Sequence, residues 1–364
     1  MLVTTARRRA GRALAAGAGA GLALALTAAP TAAAEPEAPR LLSAKNLDLG
    51  SAGRVVAAGS TVGGVDVVRL LARADLQSAP VLASLPAGSA VAAQDRAGRV
   101  WVAYGAAPED PAGPGPEPAR RLAPGGGVEL EADLAGYQAA DPDPFDLEGN
   151  PGESNPYDVE ALNDGSALVV DAAGNDLLRI DRHGRVRTVA CFPTEVFSTA
   201  GAPSDPAGPP LPPELPVEAV PTGVSYDPAT GDAYVSELKG FPFPVGGSRV
   251  WKVDADGHRQ GCDGGDPGEV VADGLTAAND VTYSRQHLLF VTQLHDEGVL
   301  ALEAGSEDPA SIRGTGSVVQ IAPDGARTVL GDGELTAPGS VAVDRSRVYV
   351  LDAHLLAPSV RRIG

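Results

Sequence analysis

The chain has 364 residues, 45 of them glycine and 32 proline, with 28 basic and 47 acidic side chains and a formal net charge of −19. Glycine without a three-residue period excludes collagen, two cysteines are too few for a disulfide scaffold or zinc ribbon, and the acidic balance argues against binding nucleic-acid backbones. A hydrophobic content of 43% argues against a disordered chain, and the length allows one large domain or two ordinary ones.

Residues 1–34 read as a secretory signal peptide. Arg7, Arg8, Arg9 and Arg12 form a positive leader, and residues 13–28 are Ala, Gly and Leu with a single Thr. Ala32-Ala33-Ala34 then offers an A-x-A cleavage site before Glu35. The apolar run is too short and too rich in Ala and Gly for a membrane span, and no second long apolar segment follows. The expectation is a soluble, monomeric protein outside the cytoplasm, secreted or periplasmic, with no membrane association after cleavage. Its mature net charge is about −23, which favours solubility and repels anionic surfaces.

The mature chain repeats a four-part unit. The clearest copies begin near Asn155, Pro221, Asn279 and Pro338. Each holds a short apolar stretch, an Asp/Asn/Gly turn, a β-branched or aromatic stretch, a loop, a third alternating stretch and often a second Asp-Gly turn. Such alternation marks strands, and Asp-Gly supplies the positive φ of tight hairpins. Four antiparallel strands per unit, repeated, is the pattern of a β-propeller. Two further units are placed at 47–88 and 89–140. The fold class is therefore all-β: one six-bladed β-propeller of four-stranded blades over residues 35–364. Insertions fall at 201–217, 241–247 and 295–316. The Pro- and Gly-rich stretches 105–119 and 200–217 read as extended surface loops. The last unit ends after its third strand, so Leu41-Leu42-Ser43-Ala44 is expected to supply the missing outer strand and close the ring.

Several runs are similar to the ScyD/ScyE family of secreted proteins. They are Glu153-Ser154-Asn155-Pro156-Tyr157, the stretch from Val170 to Arg179, Val220-Pro221-Thr222-Gly223, and Glu237 to Gly246 with its Gly-Phe-Pro-Phe-Pro-Val-Gly string. The resemblance covers residues 150–364 and implies a six-bladed propeller of the TolB-like or NHL type. It implies no particular reaction. The chain departs from the family pattern at 255–268 and 296–316.

Candidate chemistry gathers at one mouth of the ring. Aligning the units on their second strand gives Tyr104, Asp171, Glu237, Gln293 and Asp352 at its end, near Asn155, Tyr157, Thr222, Asn279 and Asp280 at the start of strand one. Lys239, His295 and His354 follow two residues further on. Asn155, Tyr157, Thr222, Glu237, Asn279, Asp280, Gln293 and Asp352 are candidate ligand-binding residues. Asp171, His295 and His354 are the candidates for acid–base work. Glu237, Asn279 and Asp352 are candidate metal ligands, suited by their oxygens to Ca²⁺ or Mg²⁺, whereas two imidazoles would suit Zn²⁺. The plainer reading of Asp171 and Asp352 is that they satisfy backbone donors of the following turn. Gly240–Pro244 is either a lid over the mouth or a rigid connector. Export permits a disulfide, and Cys191 with Cys262 is the one intramolecular pairing available.

Three functions fit. One is a secreted binding or scaffold propeller for a small molecule, glycan or protein. The second is a metal-dependent hydrolase of the lactonase kind, and the third a lyase using the two histidines. The absence of a nucleophile–base or dense metal motif favours the first. Export has a direct check: intact-mass measurement of protein recovered outside the cytoplasm should give a chain beginning at Glu35, and retention of residues 1–34 would refute the cleavage.

Overall fold

The computed structural model describes residues 43–364 except 45, 50–53, 62–63, 72–78, 87, 106–115, 201, 203–210, 306–307, 309 and 354–357. It is a six-bladed propeller of small antiparallel sheets with two short helices. Blade 1 holds β1 (Ser43–Ala44), β2 (Asp48–Leu49), β3 (Arg54–Thr61), β4 (Gly64–Leu71) and β5 (Val81–Leu85). Blade 2 holds β6 (Ala90–Gln94), β7 (Val100–Tyr104), β8 (Ala119–Leu122) and β9 (Val128–Ala132), and α1 (Leu134–Ala140) follows. Blade 3 comprises β10 (Pro156–Ala161), β11 (Ala167–Asp171), β12 (Asp176–Ile180) and β13 (Val186–Cys191). A separate hairpin of β14 (Glu195–Ser198) and β15 (Glu214–Val217) precedes blade 4. That blade is β16 (Pro221–Asp227), β17 (Asp232–Glu237), β18 (Ser248–Asp254) and β19 (Glu269–Leu275). Blade 5 is β20 (Ala278–Tyr283), β21 (Leu289–Gln293), β22 (Gly316–Ile321) and β23 (Arg327–Leu335), with α2 (Val299–Gly305) between its second and third strands. Blade 6 is β24 (Ser340–Asp344), β25 (Arg347–Asp352) and β26 (Ser359–Ile363).

The first strand of each blade is innermost: β10 lies against β6 and β16, β16 against β20, β20 against β24, and β2 against both β24 and β6. Central strands are buried on both faces, so Ala167–Val170 and Val91–Ala93 read as continuous apolar runs. Alternate residues serve opposite neighbours. Val91 and Ala93 pack toward blade 3, while Ala90 and Ala92 pack toward blade 1. Six apolar clusters result, one in each joint of the ring, and the joint between blades 6 and 1 is the smallest among the described residues. The tight turns have the expected glycines, with Gly165 at φ +89° and Gly184 at +85°.

The ring is closed by an N-terminal strand, but at a different edge from the one expected. Ser43–Ala44 pairs with Ser60 and Gly59 of β3, and Asp48–Leu49 pairs with Val56 and Val55. Together they form a broken inner strand of blade 1, whereas β26 pairs only with β25 among the described residues. Leu41 and Leu42 lie outside the described residues. The physical reason is that the inner edge of β3 would otherwise face the channel with its ladder unpaired. The 200–217 stretch also departs from an extended loop, since Glu214–Val217 pairs with β14.

Cys191 and Cys262 are joined, with their Cα atoms 4.8 Å apart and 71 residues between them in sequence. The bond ties the end of β13 to the loop before β19, beside backbone hydrogen bonds from Gln260 N–H to the Val189 carbonyl and from Cys191 N–H to the Gln260 carbonyl. Cys191→Ser with Cys262→Ser should cost about 3–4 kcal/mol, measured by urea unfolding, because the closed loop is long; an unchanged unfolding midpoint would contradict this.

Candidate functional site

The inner strands of blades 3, 4 and 5 share one irregularity. Their pairing with strand two skips a residue between Pro156 and Asp158, between Pro221 and Gly223, and between Ala278 and Asp280. The extra residues are Tyr157, Thr222 and Asn279. A bulge re-aims its side chain, and here it directs three expected ligand-binding residues into contacts with the next or next-but-one blade. The Tyr157 hydroxyl donates to Asn279 Oδ1 at 3.0 Å, bridging blades 3 and 5. Asn279 Nδ2 donates to the Gly339 carbonyl at 2.5 Å, and Thr222 Oγ1 to the Ala278 carbonyl at 3.2 Å.

Just past the bulges, acidic and hydroxyl side chains stitch neighbouring blades together. Asp158 Oδ2 accepts from Val224 N–H at 2.9 Å, and Asp280 Oδ2 accepts from Val341 N–H at 2.9 Å and from Ser340 Oγ at 2.6 Å. Ser225 Oγ accepts from Tyr283 N–H, Ser340 Oγ from Leu47 N–H, and Asp48 Oδ2 from Gln94 N–H. Asn46 Nδ2 reaches from blade 1 to Asp158 Oδ1 at 2.9 Å. Gly223 occupies the register position of Asp158 and Asp280. A Cβ there would lie 2.6 Å from the Asp280 Cα, so blades 4 and 5 approach this closely only with glycine.

These residues surround a cavity of about 170 Å³ on the ring axis. Asn46, Asp48, Asp158, Glu160, Ser225, Asp280 and Thr282 supply its polar lining, and no Lys, Arg or His is among its described lining residues. Burial holds Asp158 well above the ordinary carboxylate range, and the charge of Asp280 adds to this. Glu160 is raised likewise, first by burial and then by Asp48, Asp158 and Asp280. Asp280 is pushed to about 7 by burial, against the hydrogen bonds from Ser340, Val341 and Val281. The Tyr157 hydroxyl rises to about 12, again by burial and then by Asp280 and Asp158.

The other described sequence candidates are not among this cavity's lining residues. Asp171 is fully buried and accepts from Ser154 Oγ and Asn155 N–H, each at 2.6 Å, and from the N–H groups of Ala173 and Gly174. Gln293 Oε1 accepts from Thr276 N–H at 2.7 Å, and Asp352 Oδ1 from Thr336 N–H at 2.6 Å. Each thus ties the end of strand two to the segment leading into strand one of its own blade. Glu237 is fully buried, with Trp251 Nε1 at 2.5 Å and Lys239 Nζ at 2.6 Å; the same Nζ reaches Glu195 of the β14 hairpin at 2.6 Å. His295 is buried, and its Nδ1 accepts from Glu297 N–H. His354 lies outside the described residues. Among the described residues, no group of three or more His, Cys, Asp or Glu is arranged to hold a metal ion. Phe243 packs with Leu238, Leu294, Val299 and Leu302, so the Gly-Phe-Pro-Phe-Pro string fills the space between blades 4 and 5 near α2.

Among the described residues, Asp280 is the one expected site residue that lines the cavity. Asn46, Asp48, Asp158, Glu160, Ser225 and Thr282 were missed. Their signal was available: Tyr157-Asp158-Val159-Glu160 and Asn279-Asp280-Val281-Thr282 place polar residues at every second position of an inner strand.

No family model matches the chain, and no curated protein matches it. Its fold is similar to that of a gluconolactonase from Xanthomonas campestris, at 12% identity and TM-score 0.51 over 89% of this chain and 86% of that one. The PQQ-bound aldose sugar dehydrogenase from Streptomyces coelicolor is 11% identical, with TM-score 0.51 over 90% of this chain and 95% of that one. A putative glucose dehydrogenase from Thermus thermophilus is 15% identical, with TM-score 0.50 over 91% of this chain and 99% of that one. At such identities the likeness establishes the fold: the neighbours are six-bladed β-propeller proteins.

The titration of the cavity has a defined sign. Asp280 has a folded-state pKa near 7 against an ordinary value of 3.8, so its contribution to stability is complete below about pH 4 and is lost as pH rises through about 7. The upward shifts of Asp158 and Glu160 act in the same direction. Unfolding free energy should therefore fall between pH 5 and pH 8, by about 1.4 kcal/mol per pH unit for each proton released. A pH-independent denaturation midpoint over that range would refute the crowding of these carboxylates.

Proposed function

We propose that this chain is a secreted binding propeller of the ScyD/ScyE type, whose ligand occupies the axial channel. The observation that carries the reading is the polar axial cavity, to which blades 1, 3, 4 and 5 all contribute polar side chains. A ring of stitched inner strands holds those side chains in fixed positions, which is the preorganisation a binding site needs. The signal-like residues 1–34 support export. The Glu153–Tyr157 and Gly240–Gly246 strings support the family. The cavity is smaller than the roughly 300–1,000 Å³ of sites for drug-sized molecules, so the ligand has few atoms.

A thermal-shift screen of the mature protein against divalent cations, amines, sugars and lactones tests this reading. One class should raise the melting temperature by about 3–8 °C at a hundredfold excess over its dissociation constant. Val343→Phe adds bulk at the cavity lining and should abolish that shift. A screen with no hit, or a hit that Val343→Phe leaves intact, would overturn the reading.

A further inference from the structure

Blade 4 departs from a pattern that blades 3, 5 and 6 share. In those three the last residue of strand two accepts a backbone N–H 16 or 17 residues earlier, as Asp171, Gln293 and Asp352 do from Asn155, Thr276 and Thr336. In blade 4 the corresponding donor, Val220 N–H, goes instead to Asn175 Oδ1 at 2.9 Å. Glu237 is thereby released, and it meets Trp251 Nε1 at 2.5 Å and Lys239 Nζ at 2.6 Å. Lys239 is fully buried and has a left-handed backbone, φ +75°, a conformation that non-glycine residues seldom adopt. Breaks in a local pattern and unusual backbone angles gather at functional sites. The chain inserts its separate hairpin at this same joint. Strands β14 and β15 pair with each other and, among the described residues, with no blade strand. Alternation along β14 turns Glu195 and Phe197 toward Lys239 and leaves Val196 66% exposed.

We propose that Lys239 and Arg249 form a binding site for a small monocarboxylate, and that the β14–β15 hairpin is a strap whose Glu195 occupies this site until a ligand carboxylate displaces it. The contacts are those of carboxylate recognition. Glu195 Oε2 meets Lys239 Nζ at 2.6 Å and Glu195 Oε1 meets Arg249 Nη2 at 2.6 Å, one cation for each oxygen. Charge-assisted contacts of this kind are the strong ones. Both cations belong to blade 4, whereas the carboxylate arrives on the insertion. Without Glu195 the blade keeps two positive charges against the one negative charge of Glu237, and a buried cation needs a counter-charge. The difference of one charge matches a monoanion. The blade also positions the cations by itself. Arg249 lies over the Trp251 ring at 5.5 Å, Trp251 donates to Glu237, and Lys239 N–H donates to the Ala219 carbonyl. Phe197, 5.9 Å from Lys239 Nζ, leaves with the strap. None of these residues is in the described lining of the axial cavity, so this is a second site.

Acetate is the probe, titrated calorimetrically at pH 7 and constant ionic strength, with inorganic phosphate as the parallel titrant. Glu195→Ala removes the competing carboxylate, so acetate should bind this variant at least tenfold more tightly than the wild-type protein. Adding Arg249→Gln should abolish that binding, and adding Val343→Phe should leave it unchanged. In the wild-type protein, saturating acetate should speed hydrogen exchange in residues 195–198 and 214–217, relative to chloride at the same ionic strength, and leave residues 232–237 unaffected. This last measurement needs no variant and so decides the matter where Glu195→Ala does not fold. Acetate binding that is no tighter in folded Glu195→Ala, or that survives Arg249→Gln, overturns the site. Phosphate bound in place of acetate overturns the carboxylate class. Hairpin exchange that acetate does not alter overturns the strap. Acetate binding lost on adding Val343→Phe assigns the anion to the axial channel and overturns the second site, whereas every other outcome leaves the channel reading untouched.

Discussion

Each inner strand of this ring has one edge without a neighbouring strand, and the backbone groups along that edge need partners. Closing six sheets around an axis brings those edges together while leaving them too far apart to form a ladder. The protein meets the need with side-chain acceptors. Asp48, Asp158, Ser225, Asp280 and Ser340 each take a backbone N–H from an adjacent blade. A buried donor left without an acceptor would cost about 1–3 kcal/mol, so these contacts decide how the blades are spaced.

The same solution creates the chemistry of the channel. Carboxylates are good acceptors for backbone N–H groups, but several of them on one axis repel each other and resist desolvation. That conflict raises the pKa of Asp158, Glu160 and Asp280. The bulges at Tyr157, Thr222 and Asn279 belong to the same arrangement. They cross-link the blades ahead of the cavity and use polar groups that a regular strand would send into a joint.

Away from the axis the ring depends on apolar packing between sheets. Among the described residues the joint between blades 6 and 1 has the smallest apolar cluster, and there polar stitching by Leu47 and Ser340 supplements it. On the opposite side the joint between blades 3 and 4 is the most heavily reinforced. It contains Phe192 and Trp251 in its apolar cluster, the Cys191–Cys262 bond across it, and the buried Glu237–Lys239 pair beneath the β14 hairpin.

Much of this was legible in the residues themselves. Alternating apolar stretches and Asp-Gly turns are local signals, and they located the units from Asn155 onward, the two earlier ones, and hence the propeller. The cysteine pairing followed from there being two thiols in adjacent units. The equivalence of Asp171, Gln293 and Asp352 was readable too, but their common partner was not, because each bonds a backbone N–H 16 or 17 residues earlier that only the hairpin brings back. The edge taken by Ser43–Ala44, on β3, was not readable from local pattern. The cavity was the least legible feature of all. A bulge shifts the pairing register by one residue, and that shift reverses which side chains face the axis. The sequence by itself determined the six units and most of their strands and turns, because those depend on neighbours within a few residues, but not the β14–β15 hairpin or the edge taken by Ser43–Ala44. Only the tertiary structure decided that Asp48, Asp158, Glu160 and Asp280 would share one cavity, because they come from three blades whose spacing is set by closure of the ring.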